Sequence, residues 1–192
     1  MKHQRRLGVL GFLGFLGFLG LQEGQAGFYW FFAFFSFFAY FLRRTGSEPV
    51  RKIFFYGLFM DRSLLTAKGL HPEMIGPAVL PDYRIHIGER ATLLRSASSR
   101  AYGIVMELAD HEARTLYSEP SVREYEPVRV QVELLDTGQV VEAYCYNLPR
   151  ELGLAGANPA YATELSQLVD GLQFDSAYVD EIAAFGEQPA GG

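Results

Sequence analysis

Four consecutive residues, Tyr56-Gly57-Leu58-Phe59, form a stretch whose residue types and order could support chemistry. An apolar run ends at Tyr56, so a strand must stop there and the chain must turn. Glycine at the next position allows a positive φ or a close approach of the backbone to a ligand. If Leu58 and Phe59 follow the turn, their backbone N–H groups form a set of donors suited to a carboxylate or an oxyanion.

Glu119 is the second candidate, because its carboxyl group can act as an acid or a base. It follows Leu116, which the helical pattern turns inward, and it precedes Pro120. It therefore lies at the end of a helix rather than on a solvated helical face. A carboxyl group there can take a proton from one nitrogen and give it to another. The competing interpretation is a Glu in a surface loop, which is the commoner environment of this residue type.

Other catalytic and binding motifs are missing from the sequence. It contains no glycine-rich phosphate loop, no Gly-x-Ser-x-Gly and no Ser/His/Asp order typical of a triad. Cys145 is the single cysteine, which excludes an internal disulfide and fits a reducing compartment. No Cys/His pair has ligand spacing, so we expect no metal site. The four histidines are scattered: His3, His71, His86 and His111.

Charge and aromatic residues are divided unevenly along the chain. Residues 1–44 hold five Lys and Arg residues, one acidic residue and 11 of the 16 Phe. The remaining residues hold 12 Lys and Arg against 21 Asp and Glu, which is a net charge of −9. An acidic body repels the phosphates of nucleic acid, so we exclude nucleic acid as a partner.

Residues 7–42 contain two apolar runs, each of about 15 residues, and Arg43-Arg44 follow the second run. A spanning helix needs roughly 20 such residues. Three interpretations stay open: a signal peptide with residues 24–26 as its cleavage site, a membrane hairpin or anchor, or low-complexity sequence without a defined fold. We expect residues 7–42 to associate with a membrane and the globular domain to be cytoplasmic. Without insertion, the whole protein is expected to be cytoplasmic.

The composition divides the chain into four parts. These are a hydrophobic segment over residues 1–44, a linker over 45–50, a globular domain over 51–185 and a disordered tail over 186–192.

Alternating apolar residues predict most of the strands in the globular domain. The predicted strands cover residues 52–56, 76–80, 83–87, 92–94, 101–108, 127–135 and 140–146, and the predicted helices cover 61–68, 110–117, 161–172 and 178–185. Residues 81–82 are expected to form a turn and residues 96–100 a polar loop. The order of elements indicates an α+β fold built on a small mixed or antiparallel sheet that curls toward a barrel. A pocket is expected at its mouth, beside Gly57.

Several motifs follow one another in a distinctive order between residues 53 and 148. They are Tyr56-Gly57 at the end of a strand, Leu80 to Ile85, Tyr102 to Leu108, Leu116 to Ser121, Tyr125 six residues after Glu119, and Ala143-Tyr144. In this order the motifs resemble the gamma-glutamylcyclotransferase-like superfamily, which includes the AIG2-like proteins.

The resemblance implies an enzyme that cyclises a gamma-glutamyl amide without metal or cofactor. The products are 5-oxoproline and an amine or amino acid. By this resemblance residues 56–59 hold the glutamyl head, Glu119 is the general acid/base and Tyr125 shapes the pocket. Two positions depart from the family pattern: Leu58 replaces a small residue, and Tyr117 replaces an Asp.

Two further hypotheses differ in class from this enzyme. One is a non-catalytic module of the same fold that binds a gamma-glutamyl group or a small carboxylate and is tethered to a membrane. The other is a membrane-inserting segment that carries an incidental globular domain. The sequence indicates neither the leaving amine nor an oligomeric state.

Overall fold

A computed structural model describes residues 48–187 of the chain. Besides the 3-10 turn Leu58–Met60, it contains five strands and five helices in this part of the chain. In chain order they are β1 (Val50–Phe55), α1 (Arg62–Ala67), β2 (Glu73–Ile87), β3 (Ala91–Ala109), α2 (Asp110–Leu116), β4 (Glu126–Leu134), β5 (Val140–Asn147), α3 (Arg150–Gly153), α4 (Pro159–Gly171) and α5 (Ser176–Gly186).

The five strands close into a barrel in the order β1, β3, β2, β4, β5. Neighbouring strands run antiparallel except β1 and β5, which are parallel and pair at Ile53 and Tyr144. Inward residues alternate with outward ones, as Val130, Val132 and Leu134 on β4 illustrate by their burial. The predicted α+β fold with a small, mixed, barrel-like sheet is therefore confirmed.

The strands β2 and β3 form one long hairpin where the sequence predicted several shorter segments. The expected turn at residues 81–82 is a β-bulge inside β2, in which Asp82 has a φ of 60° and the pairing with β3 shifts. The expected polar loop, residues 96–100, is part of β3. The side chain of Asp82 accepts a hydrogen bond from the N–H of Ser98 at 3.1 Å. A polar group at the bulge therefore finds its partner on the other strand of the hairpin. The two predictions are wrong because cross-strand pairing continues through the local turn signal.

The turn after β1 and helix α1 show some of the predicted features and differ from others. Gly57 has φ −110° and ψ −161°, which is extended backbone, so the expected positive φ is not used. Asp61 caps α1 as expected, because its side chain accepts a hydrogen bond from the N–H of Ser63 at 2.8 Å. Of the two leucines expected to face inward, Leu65 is fully buried, whereas Leu64 is 37% exposed.

The two longer helices at the end of the domain cover the barrel. Helix α4 packs against α5 and against the turn Leu58–Met60, and α5 packs against β2. The rings of Phe174 and Tyr178 lie 5.7 and 5.1 Å from the ring of Tyr102 on β3. This packing brings the first turn of α4, which contains Tyr161, to the end of β1.

The predictions for residues 7–42, including the hairpin, the anchor and the signal peptide, lie outside the described residues. Most of the predicted tail, residues 188–192, lies outside them as well. Between residues 48 and 187, no helix is both long enough and apolar enough to cross a bilayer.

Candidate functional site

A cavity of about 340 Å³ opens beside the end of β1. Eight of the 17 residues in its wall are aromatic: Phe54, Phe55, Tyr56, Phe59, Tyr117, Tyr125, Tyr146 and Tyr161. The polar side chains of the wall belong to Glu89, Arg90, Ser121 and Asn158. Cavities of this size, mainly apolar with a few convergent polar groups, are typical of sites for small molecules.

The turn after Tyr56 is closed by two backbone hydrogen bonds and borders the cavity. The N–H groups of Met60 and Asp61 donate to the carbonyls of Gly57 and Leu58, at 2.9 and 3.0 Å, and so close the turn. The N–H groups of Leu58 and Phe59 precede them, at the start of the turn, where a helical turn leaves its first N–H groups without a partner inside the turn. Gly57, Leu58 and Phe59 all line the cavity.

Tyr161, which the sequence analysis did not single out, reaches this turn from α4. Its hydroxyl lies against the backbone at Gly57 and forms part of the cavity wall. A Cβ at Gly57 would lie 2.7 Å from the hydroxyl oxygen of Tyr161, so a side chain at this position would force the hydroxyl or the turn to move. The close approach expected at Gly57 is therefore filled by a tyrosine hydroxyl. Burial raises the pKa of Tyr161 to about 12, so the hydroxyl stays protonated at neutral pH.

Asn158 helps to fix the position of Tyr161 at the start of α4. It is the N-cap of α4, and its side-chain oxygen accepts a hydrogen bond from the N–H of Tyr161 at 3.0 Å. Its amide nitrogen donates to the carbonyl of Glu89 at 3.2 Å, in the turn between β2 and β3. The Asn-Pro pair signals a helix start in the sequence, but nothing local indicates that this helix faces the end of β1.

The hydroxyl groups of Tyr56 and Tyr125 hold the wall of the cavity together. The hydroxyl of Tyr56 lies 2.9 Å from the carbonyl oxygen of Tyr146 and 2.9 Å from Oδ1 of Asn147. The hydroxyl of Tyr125 donates to the carbonyl of Ala91 at 2.7 Å. Burial raises the pKa of both tyrosines, so both hydroxyls stay neutral at pH 7. These contacts join the ends of β1 and β5 to the start of β3.

Tyr117, which stands where the family pattern has an Asp, contributes a ring to the wall. Its ring stacks on that of Tyr146 with centroids 3.4 Å apart and planes inclined by 5°. Burial raises the pKa of Tyr117 well above its ordinary value. This part of the cavity is therefore neutral and apolar.

Glu119 lies in the turn that follows α2, and its carboxylate is paired with Lys68. Oε2 of Glu119 lies 2.6 Å from Nζ of Lys68, which is the C-cap of α1. The same Nζ lies 6.0 Å from the ring centroid of Phe59. Among the described residues that line the cavity, Ser121 and Val122 are included but Glu119 is not.

The structure thus brings five of the six predicted site residues into one cavity and leaves the sixth beside it. The five are Tyr56, Gly57, Leu58, Phe59 and Tyr125. Their placement alone does not assign roles, so the catalytic role of Glu119 and the binding roles of the other five stay predictions.

The turn between β2 and β3 contributes two charged residues that the sequence analysis missed, Glu89 and Arg90. Nη2 of Arg90 lies 2.5 Å from Oε2 of Glu124, and Nη1 donates to the carbonyl of Ser121 at 3.3 Å. The sequence indicates only that these residues form a polar turn between two strands. It does not indicate that the turn borders the cavity, because the position of the turn depends on how the barrel closes.

The part of the chain that the structure describes contains neither a cluster of metal ligands nor an ionised thiol. Over residues 48–187, no three His, Cys, Asp or Glu side chains are grouped so that they could hold a metal ion. Cys145 is buried inside the barrel, and burial raises the pKa of its thiol. The thiol is therefore neutral at pH 7.

Comparisons with known proteins agree with the architecture. Residues 53–164, more than half of the chain, match the family described as "Gamma-glutamyl cyclotransferase, AIG2-like". No curated protein matches the chain.

Several solved structures have the same fold. One, a gamma-glutamyl cyclotransferase, is 16% identical with a TM-score of 0.60, over 71% of this chain and 88% of that one. An uncharacterized protein from Homo sapiens is 16% identical with a TM-score of 0.58, over 76% and 93%. YkqA from Bacillus subtilis is 19% identical with a TM-score of 0.62, over 76% of this chain and 57% of YkqA.

Proposed function

The chain belongs to the gamma-glutamyl cyclotransferase, AIG2-like family, and we propose that it cyclises a gamma-glutamyl amide to 5-oxoproline, releasing an amine or amino acid. The observation that carries the proposal is the single cavity that collects Tyr56, Gly57, Leu58, Phe59 and Tyr125. The proposed chemistry uses groups of the protein and of the substrate alone.

The substrate's own α-amine is the nucleophile in this proposal. It attacks the γ-carbonyl carbon, a new C–N bond closes the five-membered ring, and the original amide C–N bond breaks. Intramolecular attack of this kind has an effective molarity of about 10⁵ M or more when the pose is held. The protein must hold the glutamyl chain folded, accept the proton that the α-ammonium loses, and return a proton to the leaving nitrogen.

The aromatic cavity suits the charge that develops during the attack. The γ-carbonyl oxygen becomes an oxyanion, and donors in a water-poor environment stabilise it strongly. An oxygen placed beside Gly57 would lie near the neutral hydroxyl of Tyr161, because a Cβ built there is 2.7 Å from that hydroxyl. The hydroxyl and the backbone N–H groups at the start of the turn are the donors that we propose for the oxyanion.

Glu119 is the proposed general acid/base, and its pair with Lys68 must open for this role. The two side chains are 31% and 36% exposed. Partly exposed pairs of this kind contribute about 0.2–1 kcal/mol, which substrate binding can offset. The substrate's ammonium carries the same charge as Lys68 and can take its place beside the carboxylate.

The position of Glu119 also supports a second candidate function, a module that binds a gamma-glutamyl group or small carboxylate without turnover. Its carboxylate is engaged by Lys68, whereas Glu89 is the carboxylate that lines the cavity among the described residues. A cavity without a free acid/base at the reacting nitrogen would bind the glutamyl head and leave the amide intact.

The test measures 5-oxoproline released from a panel of gamma-glutamyl compounds by the wild type, Glu119→Gln, Glu89→Gln and the control Glu133→Gln, which changes an exposed residue on β4. We expect Glu119→Gln to abolish release and the other two variants to retain it. Loss of release in Glu89→Gln with activity retained in Glu119→Gln would transfer the acid/base role to Glu89. Binding of 5-oxoproline by calorimetry, with no release from any compound, would establish the binding module instead.

The membrane association of residues 7–42 is a separate proposal, and it rests on their sequence alone. The two apolar runs and the flanking basic residues support attachment with the globular domain on the cytoplasmic side. Fractionation of cells that express the full chain tests it. Recovery in the membrane fraction after an alkaline carbonate wash is expected, and recovery in the soluble fraction would contradict it.

A further inference from the structure

Arg90 is the one positively charged side chain that lines the cavity within the described residues. It lies in the turn between β2 and β3, next to Glu89. Its guanidinium carbon is 5.8 Å from the ring centroid of Tyr125, so the cation lies near one of the predicted binding residues. The rest of the wall is largely neutral and aromatic.

The contacts that Arg90 makes leave most of its donors available. A guanidinium has five N–H donors. Within the described residues, its hydrogen bonds are one to the carboxylate of Glu124 and one to the carbonyl of Ser121. The side chains of Arg90 and Glu124 are 28% and 44% exposed, and exposed pairs are weak enough to be exchanged or shared. The guanidinium can therefore bind a second carboxylate.

A purely structural role accounts for part of this arrangement, because Arg90 joins the turn that contains Ser121 and Glu124 to the barrel. That role does not require Arg90 to line the cavity or its guanidinium to lie near the ring of Tyr125. A cavity of about 340 Å³ lies in the range that encloses whole small molecules, so it has room for a leaving group beside the glutamyl head. A planar fork of N–H donors at the wall matches a carboxylate in shape and charge.

We propose that Arg90 binds the carboxylate of the leaving group, so that the preferred substrates are gamma-glutamyl α-amino acids rather than gamma-glutamyl amines. This inference rests on the proposed function, since it concerns the same cavity. The backbone donors at Leu58 and Phe59 serve the glutamyl half of the substrate, and Arg90 serves the other half. Removing the carboxylate from the leaving group leaves the guanidinium without its substrate partner and weakens binding.

The experiment compares gamma-glutamyl-L-alanine with gamma-glutamyl-ethylamine, which differs by the carboxylate alone. For each protein we measure the affinity for both compounds by calorimetry and kcat/KM from the release of 5-oxoproline. The proteins are the wild type, Arg90→Gln, Arg90→Lys and Arg95→Gln. Arg95 is the matched control, because its guanidinium packs on the ring of Tyr83, 5.2 Å from the centroid, and it does not line the cavity among the described residues.

The wild type is expected to prefer the alanine compound by about tenfold or more, the usual effect of one charge-assisted hydrogen bond. Arg90→Gln should reduce this ratio to about one, because it weakens binding of the alanine compound more than binding of the ethylamine compound. Arg90→Lys should keep part of the preference, and Arg95→Gln should keep all of it. Melting temperatures of the variants check that the fold is intact.

The two proposals can fail separately. If no compound is turned over, the proposed function is wrong, and the affinities alone decide the role of Arg90. A preference in affinity for the alanine compound that disappears in Arg90→Gln supports the inference. Equal affinities in the wild type, or a preference that survives in Arg90→Gln, overturn it.

Discussion

The ammonium nitrogen of Lys68 lies 2.6 Å from Oε2 of Glu119, and this pair joins the end of α1 to the turn after α2. Lys68 also lies 6.0 Å from the ring of Phe59, a residue of the cavity wall. The predicted acid/base is therefore held next to the cavity by a charge that, in the proposed reaction, the ammonium of the substrate replaces.

Replacing Lys68 with Met is expected to raise kcat/KM for gamma-glutamyl compounds. The substitution removes an exposed pair worth about 0.2–1 kcal/mol, which corresponds to at most about a fivefold increase in kcat/KM. Initial rates of 5-oxoproline release at pH 7 measure the effect. Lys52→Met removes an exposed lysine on β1 and serves as the control. A large loss of activity in Lys68→Met would show that Lys68 positions Glu119 instead of hindering it.

A second prediction concerns Gly57 and Tyr161. Gly57 has extended backbone angles, so alanine there meets no backbone strain, and its cost comes from the contact of its Cβ with the hydroxyl of Tyr161. We expect Gly57→Ala to destabilise the protein and Tyr161→Phe to recover part of that loss, with a coupling of about 0.5–3 kcal/mol. Urea unfolding of the two single variants and the double variant measures the coupling.

The control for this cycle pairs Gly57→Ala with Tyr125→Phe. The hydroxyl of Tyr125 binds the carbonyl of Ala91, away from the position of the added methyl. These two changes should be additive. Additivity in the Tyr161 cycle as well would contradict the contact between Tyr161 and Gly57.

Local patterns predicted the parts of the fold that depend on neighbours in sequence. The alternation of β4, the hairpin to β5 and the capping of α1 by Asp61 can be read from a few consecutive residues, and the structure contains all three. The Tyr56-Gly57 turn could be predicted to border a pocket for the same reason. A strand that stops abruptly must present its end to the mouth of the sheet.

Contacts between residues far apart in the chain determine the features that the sequence did not predict. The turn residues at the middle of β2 are a bulge because β3 pairs with the chain on both sides of Asp82. Glu119 pairs with Lys68 at the end of α1, and Gly57 lies against the hydroxyl of Tyr161 from α4. Each of these contacts joins elements far apart in the chain, so no short window of sequence contains it. The same holds for Arg90, whose turn borders the cavity only once the barrel has closed.

A third prediction tests the packing of β1 on β3 at Gly103. A Cβ at this residue would lie 2.3 Å from the carbonyl oxygen of Phe55 and 2.8 Å from the ring of Phe54. The carbonyl belongs to a paired strand and has little freedom to move, so Gly103→Ala should lower the free energy of unfolding by about 1–3 kcal/mol.

Gly171 provides the matched control for Gly103, because a Cβ there meets no described atom within 4 Å. Gly171 is the last residue of α4, where alanine should be neutral or stabilise by up to about 1 kcal/mol. Thermal unfolding of both variants measures the difference. Equal melting temperatures would contradict the close packing at Gly103.

The last prediction concerns Asp110, the first residue of α2, which joins Arg51 on β1 to Arg114. Its carboxylate pairs with both guanidinium groups, and its N–H donates to the carbonyl of Pro49 at 2.8 Å. The hydrogen bond from Arg51 is the main reason that the pKa of Asp110 is lowered in the folded protein. The folded state therefore prefers the ionised carboxylate more strongly than the unfolded chain does.

A lowered carboxyl pKa stabilises the fold at pH values above the ordinary Asp pKa of about 3.9 and stops doing so as the pH falls through the lower, folded value. Asp110→Asn should thus have a lower melting temperature than the wild type at pH 7, and the difference should shrink as the pH falls below about 4. Asp170→Asn, which changes an exposed residue of α4, should show no such trend. A difference that stays constant from pH 7 to pH 3 would mean that Asp110 stabilises the fold through contacts that do not depend on its charge.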